Sequence, residues 1–169
     1  KFKRKQFAYI RRWGTDIKPK RMKQMFAYLN STGMVSRLSE GEFDYIHYYN
    51  GFFYLSRMGE DGKPVYSDLD VFGFTFSLNE YEHDKGASYP EVTTIIWDEF
   101  LTRGLYLTDE FVIFMNVVST IIRLRTDIDI WLLGNTVNKY CPIFKEMGLT
   151  NILEMPQGTI DVYSYGNSG

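Results

Sequence analysis

Two adjacent carboxylates end an apolar stretch near the middle of the chain. Residues 93–97 read TTIIW, and Asp98 and Glu99 follow directly. The apolar run predicts a buried strand, and carrying two unpaired charges into the core with it would cost a large desolvation free energy. The acids are therefore expected where the strand surfaces, in the crevice outside the carboxyl ends of a parallel sheet, where ligands bind. The alternative is a polar strand end with no part in chemistry.

A second apolar segment ends in the same way. Residues 128–136 read IDIWLLGNT, which predicts another buried strand ending in polar residues, Asn135 and Thr136. Between the two segments, residues 108–125 predict a helix that Thr108 caps. This helix is apolar on nearly every side and cationic in its last turn, as suits a helix packed deep against a sheet. The succession of strand, helix and strand predicts an α/β fold.

The N-terminal segment supplies two further elements. Residues 6–13, QFAYIRRW, predict a short strand that becomes basic at its end. Residues 19–32 predict one amphipathic helix, with Pro19 at its start and Gly33 just past its end.

An antiparallel meander is expected next. Asn50-Gly51 lies between two aromatic-rich segments and is the strongest short hairpin signal, because both residues tolerate the positive φ of a type I′ turn. Asp61-Gly62 offers a second turn, so residues 42–78 predict about three antiparallel strands.

The remaining residues add little to the predicted core. Residues 79–92 predict a loop, residues 141–149 a short helix, and residues 159–165, TIDVYSY, a final strand.

Composition bounds the class of protein. The 169 residues show no repeat or low-complexity linker, so residues 1–169 predict a single domain. Hydrophobic residues at 44% and charged residues at 24% are ordinary for a globular protein. No apolar run approaches the roughly 20 residues that span a bilayer. The single cysteine, Cys141, excludes an internal disulfide and fits a reducing compartment.

Charge is unevenly distributed along the chain. Residues 1–23 hold ten of the 19 Lys and Arg residues against one acid, Asp16, although the whole chain carries a net charge of only −2. This end of the molecule could meet a polyanion such as DNA. A solvated basic face is the alternative.

Five motifs, in order and spacing, resemble the DNA-packaging ATPases of phi29-type tailed phages, relatives of the large terminases. They are FAYIRRW, GFFYL with the following DG and FGFTFSL, KGASYPEVTTIIWDEF, STIIRLR and LLGNTVNKYCPIF. The resemblance covers essentially the whole chain. It implies a RecA-like P-loop ATPase core, with a mostly parallel sheet flanked by helices and an added antiparallel meander.

The resemblance gives the polar strand ends a chemical role. It implies that Asp98 orients Mg²⁺ through its water shell and that Glu99 polarises the water that attacks ATP. Asn135 and Thr136, on the neighbouring strand, would sense the γ-phosphate. Phosphoryl transfer depends chiefly on positioning and charge neutralisation, which such groups supply.

One part of the family pattern does not occur in this sequence. The family opens with a strand and a G-x-x-x-x-G-K-[ST] loop, whose backbone N–H groups and lysine supply most of the phosphate binding. No such segment occurs among the 169 residues. We therefore expect a fragment of the ATPase domain that is inactive alone, rather than a natural relative without the loop, and a further C-terminal domain stays open.

The resemblance also selects three basic residues as candidates for a subunit interface. Arg123 falls where these ATPases carry an arginine finger that a ring neighbour inserts into the adjacent active site, and its alternative role is a cation at a helix end. Arg125 is the second candidate finger. Lys85 matches a basic position that reaches towards the nucleotide across the interface, and an exposed loop lysine is its alternative.

The family contacts DNA with basic residues that follow the first strand. Here those positions correspond to Arg11, Arg12, Lys18 and Lys20. Gly14 stands where a lysine is expected, so Lys18 or Lys20 would take over that contact.

The resemblance as a whole implies the ATPase domain of a viral DNA-packaging motor. It would work as a homo-oligomeric ring on the portal and drive double-stranded DNA into a procapsid in the host cytoplasm, away from any membrane. Two alternatives stay open from sequence. One is another ring-forming translocase or helicase, which should prefer single strands, and the other is a non-catalytic assembly scaffold.

Overall fold

A computed structural model describes residues 5–84, 87–135 and 140–163. The described residues form a seven-stranded sheet with the order β2-β3-β5-β1-β6-β7 and with β4 paired to β3. Strands β5, β1, β6 and β7 are parallel, whereas β2, β3 and β4 pair antiparallel. The strands are β1 (Gln6–Arg11), β2 (Tyr45–Tyr49), β3 (Phe52–Met58), β4 (Pro64–Val65), β5 (Val71–Ser77), β6 (Val92–Asp98) and β7 (Asp129–Leu133). The predicted α/β class with an antiparallel meander is confirmed.

Helices cover both faces of the sheet, so alternate residues of β1 enter two separate cores. Phe7 and Tyr9 pack with the three short helices that follow β1, whereas Ala8 and Ile10 pack with the two later helices. The helices are α1 (Pro19–Met25), α2 (Ala27–Ser31), α3 (Met34–Leu38), α4 (Glu110–Ile122) and α5 (Pro142–Glu146). Among the described residues, no helix has the length and hydrophobicity that crossing a membrane requires.

The predicted hairpin is confirmed. Asn50 and Gly51 have φ angles of 47° and 89°, and Tyr49 pairs with Phe52 across the turn. Gly62, with φ 72°, lies in the second turn, between β3 and β4.

The single helix predicted over residues 19–32 is wrong in detail. The backbone leaves helical geometry at Phe26, with φ −105° and ψ 12°, and α1 and α2 lie on either side of it. The ring of Phe26 contacts the rings of Phe7, Phe53 and Phe72. Gly33, in the left-handed region at φ 66°, then starts α3 instead of ending the secondary structure.

The predicted capping of α4 is also wrong at both ends. The residue before the helix is Asp109, which lies in the left-handed region and makes no side-chain capping hydrogen bond. The next residue, Glu110, turns inward, and its carboxylate accepts a hydrogen bond from Leu107 N. The helix ends at Ile122, so its last turn holds no cation, and Arg123 starts a left-handed exit from the helix.

Three further predictions differ from the structure. Strand β7 is the sheet edge and is not buried: Trp131 is 57% exposed, because no described element covers it. Part of the predicted loop at 79–92 is a 3₁₀ helix, Leu78–Asp84. Residues 159–163 form no strand, and no strand pairing is described for them; Ile160 and Val162 are exposed. Residues 164 and 165 lie outside the described part.

Candidate functional site

The two polar strand ends meet at one edge of the sheet. Asp98 ends β6 and pairs in register with Leu133, the last residue of β7. A cavity of about 370 Å³ opens there, and its lining is Asp98, Glu99, Leu132, Leu133, Gly134 and Asn135. The structure thus brings Asp98, Glu99 and Asn135 together as predicted, while Thr136 lies outside the described residues.

Gly134 permits the close approach that shapes this cavity. A Cβ at position 134 would lie 3.0 Å from side-chain atoms of Phe100 and Leu101. Gly134, directly after β7, therefore lies against the segment that follows Glu99. Phe100 N also donates to Leu133 O at 3.2 Å, which ties the two strand ends together.

Arg11, at the end of β1, joins both acids. Its guanidinium donates to Asp98 Oδ2 at 2.8 Å and also pairs with Glu99. The Arg11 side chain is only 6% exposed, whereas those of Asp98 and Glu99 are 32% and 60% exposed. The cation therefore supports the acids from inside the protein, and the acids face the cavity.

Tyr9 completes this network. Its hydroxyl donates to Asp98 Oδ2 at 2.6 Å, and burial together with this hydrogen bond raises the pKa of Tyr9 to about 12. Burial acts to lower the pKa of Arg11, but the Tyr9 hydroxyl and the two carboxylates outweigh it and hold the pKa above its ordinary value. The network therefore keeps Tyr9 neutral and Arg11 charged at neutral pH.

Arg12 points to the opposite face of the sheet and is held by a buried acid. Its Nε and Nη2 donate to the two carboxylate oxygens of Glu110 at 2.7 Å each. Nη2 also donates to Phe100 O at 2.7 Å, and Nη1 donates to Glu99 O at 3.3 Å. The guanidinium carbon lies 5.0 Å from the ring centroid of Tyr106.

The four basic residues predicted to contact DNA fall into two groups. Arg11 and Arg12 are each 5% exposed and engaged by acids, so in this structure they present no charge at the surface. Lys18, just before α1, and Lys20, inside it, are exposed. Of the predicted set, the lysines are the pair that a phosphate backbone could reach.

Gly14, where the family pattern suggests a lysine, lies against an acid. A Cβ at this position would collide with the carboxylate of Glu80. Glu80 itself accepts from Ser77 Oγ at 3.0 Å, and Gly14 N donates to Asn79 Oδ1 at 2.8 Å. A side chain at position 14 would therefore displace Glu80.

The two candidate fingers lie far from the acids of their own chain. Arg125 donates to carbonyl oxygens of Tyr89, Pro90 and Val92, at the start of β6, whereas Glu99 follows its end. The seven residues of this strand span roughly 20 Å at 3.3 Å each. Arg123 is exposed and donates to Ala87 O at 2.6 Å. Lys85 lies outside the described residues.

The donor set at the cavity fits a magnesium–nucleotide complex. Among the described residues, no group of three or more His, Cys, Asp or Glu side chains is arranged to hold a metal ion. Magnesium at nucleotide sites takes one or two protein carboxylates and completes its shell with phosphates and water. Asp98, partly exposed at the cavity, is such a carboxylate, and Glu99 lies beside it.

Sequence reasoning assigned Arg11 and Arg12 to DNA and did not single out Tyr9 or Glu110. One sequence signal pointed to the pairing of Arg11 with the two acids. The segment FAYIRRW becomes basic at its end, and TTIIWDE becomes acidic at its end, so the two strands suit each other as neighbours. The inward turn of Glu110 carried no such signal, because first-turn acids are ordinary on exposed helix starts.

Comparison with known proteins gives consistent matches. The family description "Podovirus DNA encapsidation protein (Gp16)" matches residues 2–155. The DNA packaging protein of Bacillus phage phi29 is 29% identical over 86 residues, which are 49% of this chain and 26% of that protein. The DNA packaging protein of Bacillus phage B103 is 31% identical over 91 residues, 52% of this chain and 28% of that protein.

Solved structures extend the likeness to most of the chain. The N-terminal domain of the DNA packaging ATPase from bacteriophage phi29 superposes with a TM-score of 0.60 at 26% identity, covering 86% of this chain and 65% of that one. The phi29 viral genome packaging motor assembly gives a TM-score of 0.58 at 23% identity, covering 85% and 38%, which supports the fold alone. The chain thus aligns with about a quarter of the length of the curated relatives. Because the family match spans nearly the whole chain, this protein belongs to the podovirus DNA encapsidation protein (Gp16) family.

Proposed function

We propose that this chain is part of the RecA-like ATPase core of a phage packaging motor, which hydrolyses ATP to drive double-stranded DNA into a procapsid. The observation that carries the proposal is the convergence of Asp98, Glu99 and Asn135 on one cavity at the ends of two adjacent parallel strands. Family membership supplies the packaging context.

Asp98 is the residue suited to hold Mg²⁺, directly or through water. Both hydrogen bonds described for this carboxylate, from Tyr9 and Arg11, end on Oδ2 and fix its orientation towards the cavity. When bound, Mg²⁺ would neutralise charge on the phosphates during transfer. Asn135 would donate its amide to the γ-phosphate from the neighbouring strand.

Glu99 is the residue suited to activate water. As its carboxylate takes a proton, the water oxygen bonds to the γ-phosphorus, the bond to the bridging oxygen breaks, and ADP leaves. Arg11 pairs with Oε2 of Glu99, which leaves Oε1 of this exposed side chain to accept that proton.

The remaining predicted residues suit contacts between subunits and with DNA. Arg123, exposed and about a strand's length from Glu99, would act on the site of a ring neighbour and not on its own. Lys18 and Lys20 would meet the DNA backbone. The portal, the procapsid and further copies of this chain are the partners that this role requires.

Replacing Glu99 by Gln in the natural full-length protein tests the proposal. The amide fills the same space but is a poor proton acceptor, so ATP should still bind while hydrolysis is lost. Glu60→Gln, in the exposed turn before β4, is the matched control and should keep wild-type turnover.

Asp98→Asn should also weaken Mg²⁺-dependent nucleotide binding. Wild-type turnover by Glu99→Gln would move the catalytic assignment elsewhere. Stronger stimulation of the intact protein by single-stranded than by duplex DNA would favour a helicase.

A further inference from the structure

Glu99 has a backbone conformation that ordinary residues avoid. Its φ is 55°, in the left-handed region. A residue other than glycine in this region is unfavourable and persists only when its surroundings over-determine it. The direction of the Glu99 carboxylate depends on this backbone, so whatever holds the backbone also aims the carboxylate.

The side-chain contacts that hold this backbone come from Arg12, in addition to the bond from Phe100 N to Leu133 O. Arg12 donates to the carbonyl oxygens of Glu99 and Phe100, on the side of the sheet away from Arg11. Both carboxylate oxygens of Glu110 hold the guanidinium, and one of them also accepts from Leu107 N. Arg12 and Glu110 are each 5% exposed, so solvent does not compete for these bonds.

We propose that Arg12 and Glu110 are positioning residues for hydrolysis: as a buried pair they lock the peptide units after Glu99 and so aim its carboxylate at the attacking water. This inference rests on the proposed role of Glu99. It gives Arg12 a task inside the ATPase core instead of at the DNA surface. Neither residue touches the reacting atoms; both act through the backbone of Glu99.

Replacing Arg12 and Glu110 together distinguishes the proposed positioning role from a purely structural role. Apolar residues of similar volume in place of a buried ion pair often leave stability unchanged or raise it, whereas removal of one partner strands a buried charge. The double variant Arg12→Met/Glu110→Leu therefore removes the carbonyl donors without leaving an unpaired charge. If the pair is merely structural, a folded double variant should retain its turnover, whatever the change in stability.

The experiment measures stability, nucleotide affinity and turnover of this double variant in the full-length protein. We expect the double variant to fold and to bind ATP with near wild-type affinity, but with a lower thermal midpoint, because Leu107 N and the carbonyls of Glu99 and Phe100 lose these partners. Its kcat should fall about 100-fold, the effect of misplacing a catalytic group by about 1 Å. Arg57→Met is the matched control, since Arg57 also donates to a carbonyl, Glu42 O at 2.7 Å, and lies over an aromatic ring.

A second measurement tests whether the pair acts through Glu99. In a Glu99→Gln background there is no carboxylate to aim, so the double replacement should cause no further loss of residual turnover. Independent, multiplying losses would overturn the proposal, as would a stable double variant with wild-type kcat.

If the double variant does not fold, Arg12→Lys gives a second test. Lysine keeps a charge for Glu110, but its ammonium cannot reproduce the planar fork that reaches the acid and both carbonyls. A folded Arg12→Lys protein with lowered kcat supports the proposal, and one with wild-type kcat overturns it. Full activity of Glu99→Gln would instead defeat the proposed function itself, so the two failures are distinguishable.

Discussion

Substitutions of Arg123 can separate an effect on protein stability from an effect on catalysis. Arg123 caps the C-terminus of α4 with φ 41° and ψ 62°, in the left-handed region. Its side chain is exposed and makes one described hydrogen bond, to Ala87 O. The backbone thus suits glycine, while the proposed action on a neighbouring subunit requires the guanidinium.

These contacts set the expected stability changes. Losing one exposed hydrogen bond costs about 0.5–1.5 kcal/mol. Glycine at this position would recover roughly 1–2 kcal/mol, since it adopts the left-handed conformation without the steric penalty of a Cβ. Arg123→Gly should therefore unfold within about 1 kcal/mol of wild type, and Arg123→Ala, which keeps the penalty, should be the less stable of the two.

The turnover of the two variants should not follow the order of their stabilities. A guanidinium that stabilises charge on the transferring phosphoryl group acts mainly in the transition state, so both variants should lose turnover by about 10³-fold or more with little change in nucleotide affinity. The assay compares urea unfolding, ATP binding and ATP hydrolysis for the two variants in the assembled full-length ring.

Mixed rings then test action between subunits. Arg123→Gly subunits keep Glu99, and Glu99→Gln subunits keep Arg123, so a mixture should recover some hydrolysis wherever a donor arginine meets an intact neighbouring site. No recovery in verified mixed rings, with each variant inactive alone, would refute action between subunits. Turnover that tracked stability, higher for Gly than for Ala, would leave Arg123 as a helix cap.

Three further predictions concern the sheet and its basic rim. The pKa of Tyr9 is raised to about 12 from an ordinary value near 10, so the contribution of Tyr9 to stability is fully present below pH 10 and is lost as the pH rises towards 12. Relative to Tyr9→Phe, wild type should lose roughly 2 kcal/mol of unfolding free energy between pH 9 and pH 12 in urea titrations. Parallel curves for the two proteins would refute this. Replacing Lys18 and Lys20 together by Ala should weaken duplex DNA binding and reduce the slope of log affinity against log salt by up to about 2, whereas an unchanged slope would place the DNA contact elsewhere. Gly73→Ala should destabilise the fold by about 1–3 kcal/mol in thermal unfolding, because the new Cβ would collide with the ring of Phe7; an unchanged midpoint would show that the ring can move.

The sequence was sufficient to predict the strand ends that form the cavity. Each short apolar run followed by polar residues indicated a strand end, and the parallel sheet brings Asp98 and Asn135 to the same edge. The Asn50-Gly51 turn was equally predictable, because its conformation is local. The strand ends and the turn each depend on residues close together in the chain, whereas the meeting of Asp98 and Asn135 also requires β6 and β7 to be neighbours.

The roles of Arg11 and Arg12 could not be predicted in this way. Neighbouring side chains on a strand point to opposite faces, so the two arginines enter different environments. Their partners, Asp98 and Glu110, lie 87 and 98 residues further along the chain. The exposure of β7 was likewise hidden, since burial depends on what covers a strand and not on its own composition.

The place of β1 between two later strands has a consequence for synthesis on the ribosome. The apolar segment Phe7–Ile10 cannot pair until β5 has been made, and its Gln6 side chain bonds to Val71, 65 residues later. At 5–20 residues per second, translation leaves this strand without its partners for about 3 to 13 s. During that time the apolar side chains of β1 lack the sheet neighbours that bury them in the folded protein, which favours chaperone binding to the nascent chain.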